Sequence, residues 1–128
     1  MRRSDQRRAA VVALYQSDVT GRPAEDLLER NATPFTHELV DGTLAERDRL
    51  DGLIERHATG WSLDRIAPLE RSILRVALFE LGHRPDVPAE VAIDEAVEAA
   101  KELCGTDAPG FVNGILGAVH RDEEARAR

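Results

Sequence analysis

Residues Pro68 to Leu81 read PLERSILRVALFEL, and this run establishes the fold class of the chain. A helix built from it would be apolar around most of its circumference, with few polar interruptions. Helices of that kind pack against several neighbours at once. We therefore expect a helix over 68–82 at the centre of an all-α core.

The rest of the chain is expected to form further helices, about seven in total, because no segment shows the alternation typical of a strand. Proline, glycine and capping residues place them at 4–17, 23–28, 36–58, 62–66, 89–103 and 109–120. Ser4 and Ser62 are the expected N-caps. Gly42 and Gly52 each weaken the long helix by roughly 1 kcal/mol, enough to bend or break it between them. The charged tail 121–128 is expected to fray.

The helix expected over 89–103 has one apolar and one acidic face. Its inward positions are expected to be Val91, Ile93, Val97, Ala100 and Cys104. On the outer face Asp94, Glu98 and Glu102 follow one another at four-residue spacing. Such a face is most often solvated, and a surface for a basic partner is the alternative.

Length and composition indicate one globular domain over residues 1–128. The chain is 42% hydrophobic and 32% charged, with no apolar run long enough to span a bilayer and no signal-peptide segment after Met1. A single cysteine is compatible with a reducing cytoplasm, the expected location. The net charge is −7, yet residues 1–8 carry +3, so the remainder carries −10. This asymmetry suggests two different partners.

The sequence gives little support for catalysis, a metal or a cofactor. Glu80 and His83 have the Glu-x-x-His spacing of di-iron bundles, but no second such pair follows. Cys104 stands where a small apolar residue would suffice, so we interpret it as structural. Phosphate-binding glycine loops, nucleophile elbows and zinc spacings are also missing from the sequence. We therefore expect a protein that is not an enzyme.

Two polar segments are candidates for RNA binding. Arg2, Arg3, Arg7 and Arg8 form a basic arm leading into the first helix, and arginine suits phosphate and base-edge contacts. A short basic N-terminus is, however, also common in proteins that bind no nucleic acid. The second segment runs from 111 to 114, where Phe111 could stack on an unpaired base or fill the core.

Four charged residues interrupt the otherwise apolar helix over 68–82. Arg71 and Arg75 lie one turn apart and repel each other, while Glu70 and Glu80 lie near its two ends. These residues either mark a solvent stripe or meet another macromolecule, and the pattern alone does not decide between the two.

Five motifs together resemble the NusB family of bacterial transcription antitermination factors. They are RRAAVVALYQ at 7–16, WSLDRI at 61–66, ERSILRVALFEL at 70–81, DVPAEVAIDEAVEAAK at 86–101 and FVNGIL at 111–116. The resemblance covers nearly the whole chain and is most specific from Leu63 onward.

This resemblance implies a seven-helix NusB-like fold of two packed helical subbundles without catalytic activity. Family members bind boxA-type RNA in nascent transcripts, notably ribosomal RNA, together with the ribosomal protein NusE, and help RNA polymerase resist termination. The RNA surface implied for this chain comprises Arg2, Arg3, Gln6, Arg7, Arg8, Phe111 and Asn113. The implied NusE surface comprises Tyr15, Glu70, Arg71, Arg75 and Glu80. NusE is basic, which suits the acidic remainder of the chain.

The chain departs from the family pattern in two places. Only three residues precede Ser4, so fewer cations reach RNA, and Phe79 stands where many relatives have tyrosine. The short arm keeps open an alternative function, a helical protein-interaction module without intrinsic RNA binding. NusB-like domains also occur fused to RNA methyltransferases, for which this chain has no room. Some family members form homodimers that cover the RNA surface, and the sequence leaves monomer and homodimer open.

Overall fold

The computed structural model of the protein describes residues 1–127, and Arg128 lies outside the described residues. Within them the chain forms six α-helices, two short 3₁₀ helices and no strand. The α-helices are α1 (Arg3–Thr20), α2 (Pro34–Ala45), α3 (Arg47–His57), α4 (Pro68–His83), α5 (Ala89–Leu103) and α6 (Ala108–Ala127). The 3₁₀ helices are Ala24–Leu27 and Leu63–Arg65. The expected all-α fold is confirmed. The number of α-helices is six instead of seven, because the two shortest expected helices are 3₁₀ helices and the long helix expected over 36–58 is divided into α2 and α3.

Helix α4 is the centre of the core, as its sequence predicts. Nine consecutive residues, Ser72 to Glu80, are buried. Helices α1, α2, α3, α5 and α6 all pack against α4. Helices α1, α2 and α3 on one side and helices α5 and α6 on the other thus form two groups that share α4 as their common contact.

The boundary between α2 and α3 lies at Glu46, within the interval marked by Gly42 and Gly52. Gly42 allows a close crossing of α2 over α4, since a Cβ there would stand 2.1 Å from Cζ of Phe79. Thr33 begins α2 as its N-cap, accepting a hydrogen bond from the Thr36 amide at 3.3 Å.

Two local expectations were wrong, and a third was confirmed only in part. Ser4 lies inside α1 instead of capping it, because the extended backbone of Arg2 begins the helix and the Ser4 hydroxyl donates to Glu95 at 2.9 Å. Ser62 occupies the N-cap position of the 3₁₀ helix that follows it, but its side chain makes no capping hydrogen bond. Val91 is 43% exposed, since the buried stripe of α5 consists of Ala92, Ala96, Ala99 and Ala100.

The tail also differs from expectation, because residues 121–127 continue α6 instead of fraying. Asp122 pairs with His57 of α3 at 2.6 Å, and this contact ties the extension to the body. The part of the expected tail at 128 lies outside the described residues. Within 1–127, none of the helices combines the length and apolar character needed to cross a membrane.

Candidate nucleic-acid interface

The arm residues Arg2 and Arg3 are exposed at the N-terminus of α1. The Arg3 guanidinium lies 3.9 Å from the ring centroid of Phe35, the first aromatic residue of α2. A cation over an aromatic face gains about 0.5–1 kcal/mol at an exposed site. This contact directs the arm across the start of α2.

Gln6, by contrast, is buried and fully engaged inside the protein. Its Nε2 donates to the Met1 carbonyl at 2.9 Å, and its Oε1 accepts from the Thr33 hydroxyl at 2.5 Å. Gln6 was expected on the RNA surface. The structure instead places it as the link between the arm and the N-cap of α2.

Arg7 and Glu80 form a buried ion pair. Arg7 donates from Nε and Nη2 to the two Glu80 oxygens at 2.7 and 3.0 Å, and the residues are only 9% and 2% exposed. The resemblance assigns Arg7 to RNA and Glu80 to the protein partner. Each side chain satisfies the other in this arrangement, so both assignments stay predictions that would require the ion pair to open.

Arg8 lies between the arm and the acidic side of α5. Its Nε donates to Glu102 at 2.7 Å and its Nη1 donates to the Ser4 carbonyl at 3.1 Å. Glu95 lies beside Arg8, and its Oε2 is 3.9 Å from Nη1 of both Arg7 and Arg8. That oxygen has no hydrogen-bond partner among residues 1–127. The acidic face of α5 therefore turns partly toward the basic arm, which its spacing in the sequence did not reveal.

Phe111 and Asn113 lie in the first two turns of α6. Asn113 is exposed, while Phe111 is half-buried and meets Trp61 edge-to-face, with ring centroids 5.9 Å apart and planes at 68°. Trp61 is 50% exposed. The two rings border an open cleft of about 270 Å³ whose lining also includes Glu70 and Asp107. The sequence analysis named Trp61 only as part of a family motif and not as a site residue. Its position directly after the Thr59-Gly60 turn, outside the expected helices, was the signal that could have indicated an accessible ring.

Glu70 is half-buried at this cleft, and burial raises its pKa above 4.5. Burial also raises the pKa of the Cys104 thiol, as does the negative charge of Glu70. A thiol with a raised pKa is a poor nucleophile, in agreement with a structural role. Glu70 is thus a member of the expected partner set that lines an open cleft.

Arg71 and Arg75 avoid repulsion by sharing Asp18 of α1. Arg71 donates to Asp18 at 3.0 Å, and Arg75 lies 3.7 Å from the same oxygen. Arg75 is 6% exposed and donates to both oxygens of Asp51 at 2.7 and 3.2 Å. Its expected contact with a protein partner stays a prediction, although its donors are used inside the fold.

Tyr15 is half-buried on α1, three residues before Asp18 and hence on the same side of that helix. The expected partner set is thus divided by the structure. Tyr15, Glu70 and Arg71 are partly accessible, whereas Arg75 and Glu80 are enclosed.

No group of three metal-ligating side chains converges anywhere in residues 1–127. Glu80 is occupied by Arg7, and the His83 ring pairs with Glu46 of the α2–α3 junction. The two residues of the Glu-x-x-His spacing therefore contact two separate partners, Arg7 and Glu46.

Sequence comparison matches residues 4–121 to the NusB family. The transcription antitermination protein NusB of Rubrobacter xylanophilus is 44% identical over 122 residues, covering 91% of this chain and 88% of that protein. Its counterpart in Bacillus pumilus is 38% identical over 127 residues, covering 95% and 97%.

Solved structures show the same similarity. Thermotoga maritima NusB superposes with a TM-score of 0.85 at 31% identity, covering 94% of this chain and 92% of that one. A chain from a crystal structure of the antitermination factors NusB and NusE in complex with double-stranded RNA gives a TM-score of 0.83 at 26% identity, covering 94% and 96%.

Proposed function

Because the chain belongs to the NusB family, we propose that it is a transcription antitermination factor acting by binding and not by catalysis. It binds boxA-type RNA of nascent transcripts, notably ribosomal RNA, together with NusE, within the complex that helps RNA polymerase resist termination. The observation that carries the proposal is the family match over residues 4–121. Its place of action is the cytoplasm, where bacterial transcription takes place.

The RNA surface that we propose is smaller than the one expected from the sequence. It consists of the exposed arm cations Arg2 and Arg3, of Arg8, and of Phe111 with Asn113 on α6. Arg8 donates to Glu102 near the C-terminal end of α5, the helix that precedes α6 and packs against it. Gln6 and Arg7 support the arm from inside.

The NusE surface that we propose lies around Tyr15 and Glu70. Helix α4 contributes Glu70 and α1 contributes Tyr15, and these two helices pack directly on each other. Outside residues 1–8 the chain carries −10, so a basic partner is attracted over a wide area.

One observation favours the alternative of a protein-interaction module without intrinsic RNA binding. The Arg8 guanidinium is already paired with Glu102, so RNA must compete with an internal carboxylate for this cation. NusE binding would then be retained without any RNA preference.

The deciding experiment is fluorescence anisotropy of a labelled boxA-type RNA and a scrambled RNA, each with and without NusE. Preference for boxA that strengthens with NusE supports antitermination, and equal weak binding in all four titrations supports the alternative. Arg8→Ala should lower the salt slope of RNA binding by about 1, whereas Arg56→Ala, an exposed control on α3, should leave it unchanged. Glu102→Gln should tighten RNA binding by about 1.5- to 5-fold, because a competing surface ion pair of about 0.2–1 kcal/mol is removed. An unchanged affinity for Glu102→Gln would show that Arg8 does not contact RNA.

A further inference from the structure

The connection between α3 and α4 has little structure of its own. Its 3₁₀ helix, Leu63–Arg65, is three residues long, and short 3₁₀ segments are weakly stable by themselves. The backbone bonds in this connection include Trp61 to Ala58 at 2.9 Å and Ile66 to Leu63 at 3.1 Å. Ile66 is buried, but Trp61 at the other end is half exposed. The position of Trp61 therefore depends on contacts that arrive from elsewhere.

Arg71, in the first turn of α4, supplies such contacts. Its Nη1 donates to the carbonyls of Leu63 at 3.3 Å and Ile66 at 2.9 Å, while its Nη2 donates to Asp18 at 3.0 Å. The planar guanidinium can hold these partners at once, which a single ammonium could not do with the same geometry. One side chain thus joins α1, α4 and the connection.

Asp18 is held in turn by more than one cation. Arg47 donates to its other oxygen at 3.3 Å, and Arg75 lies 3.7 Å away. The Asp18 and Arg71 side chains are only 15% and 16% exposed. An ion pair that is mostly enclosed and held at both ends keeps its geometry better than an exposed one.

The tethered segment carries one wall of the cleft between Trp61 and Phe111. Phe111 belongs to the proposed RNA surface, and Glu70, next to Arg71 in the chain, belongs to the proposed NusE surface. The cleft is therefore a point where both surfaces depend on the placement of the same segment.

We propose that Asp18 and Arg71 are positioning residues that fix Trp61 against Phe111 and so support both binding surfaces, without contacting either ligand. Arg71 thereby has a role different from the partner contact expected from the sequence. The effect on binding rests on the proposed function, whereas the effect on Trp61 does not. Loss of either charge frees residues 61–66 from Arg71 and moves the Trp61 ring away from Phe111.

Fluorescence tests the first part directly, because Trp61 is the single tryptophan of the chain. The variants are Asp18→Asn, which preserves size, and Arg71→Gln, with Arg56→Gln as a control at an exposed position of α3. Acrylamide quenching of Trp61 should increase by up to about twofold in both variants, since its exposure can rise from 50% toward full exposure. The double variant should show no further increase, and the control should match the unaltered protein.

Binding tests the second part. Anisotropy with boxA-type RNA and with NusE should show a loss of about 2- to 30-fold for Asp18→Asn and Arg71→Gln alike, the range typical of residues that act through others. If Asp18→Asn leaves Trp61 quenching unchanged, the proposal is wrong. Weakened NusE binding in Arg71→Gln alone, with normal quenching, would show direct contact by Arg71 and also overturn it. Altered quenching in a protein that never prefers boxA RNA would support the positioning of Trp61 and reject the proposed function instead.

Discussion

Removing Arg7 should destabilise the protein far more than removing its neighbour Arg8. In Arg7→Ala the Glu80 carboxylate, 2% exposed, loses two charge-assisted hydrogen bonds of 2.7 and 3.0 Å. Leaving one member of a buried pair uncompensated costs about 3–5 kcal/mol. Arg8 pairs with Glu102, whose side chain is 57% exposed, so Arg8→Ala should cost only about 0.2–1 kcal/mol.

The expected loss is large relative to total stability. Domains of this size unfold with about 5–15 kcal/mol, so Arg7→Ala would remove a third or more of a typical value. Its melting temperature should fall by on the order of 10–20 °C. Urea denaturation followed by circular dichroism measures the free energy of unfolding, and equal m-values would show that the comparison is valid.

The paired substitution Arg7→Met with Glu80→Leu separates the cost of an unpaired charge from the worth of the pair. Replacing a buried pair by apolar residues is often neutral or stabilising by about 1–4 kcal/mol, so the double variant should recover most of the loss. Equal losses in Arg7→Ala and Arg8→Ala would refute the reasoning. Glu80→Lys should also unfold the protein, because it sets a second cation against Arg7.

Two further predictions concern packing and pH. Gly42→Ala should lower the free energy of unfolding by about 1–3 kcal/mol in chemical denaturation, because the new Cβ would lie 2.1 Å from the Phe79 ring. Gly52→Ala should instead raise it by about 0.4–1 kcal/mol, because the space around that Cβ is open. Equal effects of the two substitutions would contradict the close crossing of α2 over α4. Burial raises the pKa of Asp18, but the hydrogen bond and charge of Arg71, with two further arginines, lower it on balance below 3.8. The ionised Asp18 therefore contributes its full stabilisation above the pKa of the unfolded state, and this stabilisation is lost as pH falls through the lower pKa of the folded state. Asp18→Asn should flatten the acid side of the plot of unfolding free energy against pH. An unaltered plot would contradict the pairing of Asp18 with Arg71.

The sequence predicted the fold well because the dominant signal is local. The apolar circumference of residues 68–82 required a central helix, and nine consecutive buried residues of α4 confirm it. The interruption near Glu46 followed from the helix-weakening Gly42 and Gly52. The continuation of α6 was not predictable in this way, because it depends on Asp122 meeting His57 from a distant helix.

The candidate site was harder to predict because buried ion pairs leave no periodic signal. Arg7 and Glu80 are 73 positions apart, and their polarity was interpreted as exposure when it reflected pairing. The repulsive spacing of Arg71 and Arg75 did contain a usable signal, since two cations on an apolar helix require an anion nearby. Asp18 supplies that anion from α1.

The separation between Arg7 and Glu80 also sets the order in which the arm matures during protein synthesis. A ribosome adding about 5–20 residues per second needs roughly 4–15 s to translate the 73 positions that separate the two. Glu102, the anion that pairs with Arg8, emerges later still. Until then Arg7 and Arg8 lack the carboxylates with which they pair in the finished fold.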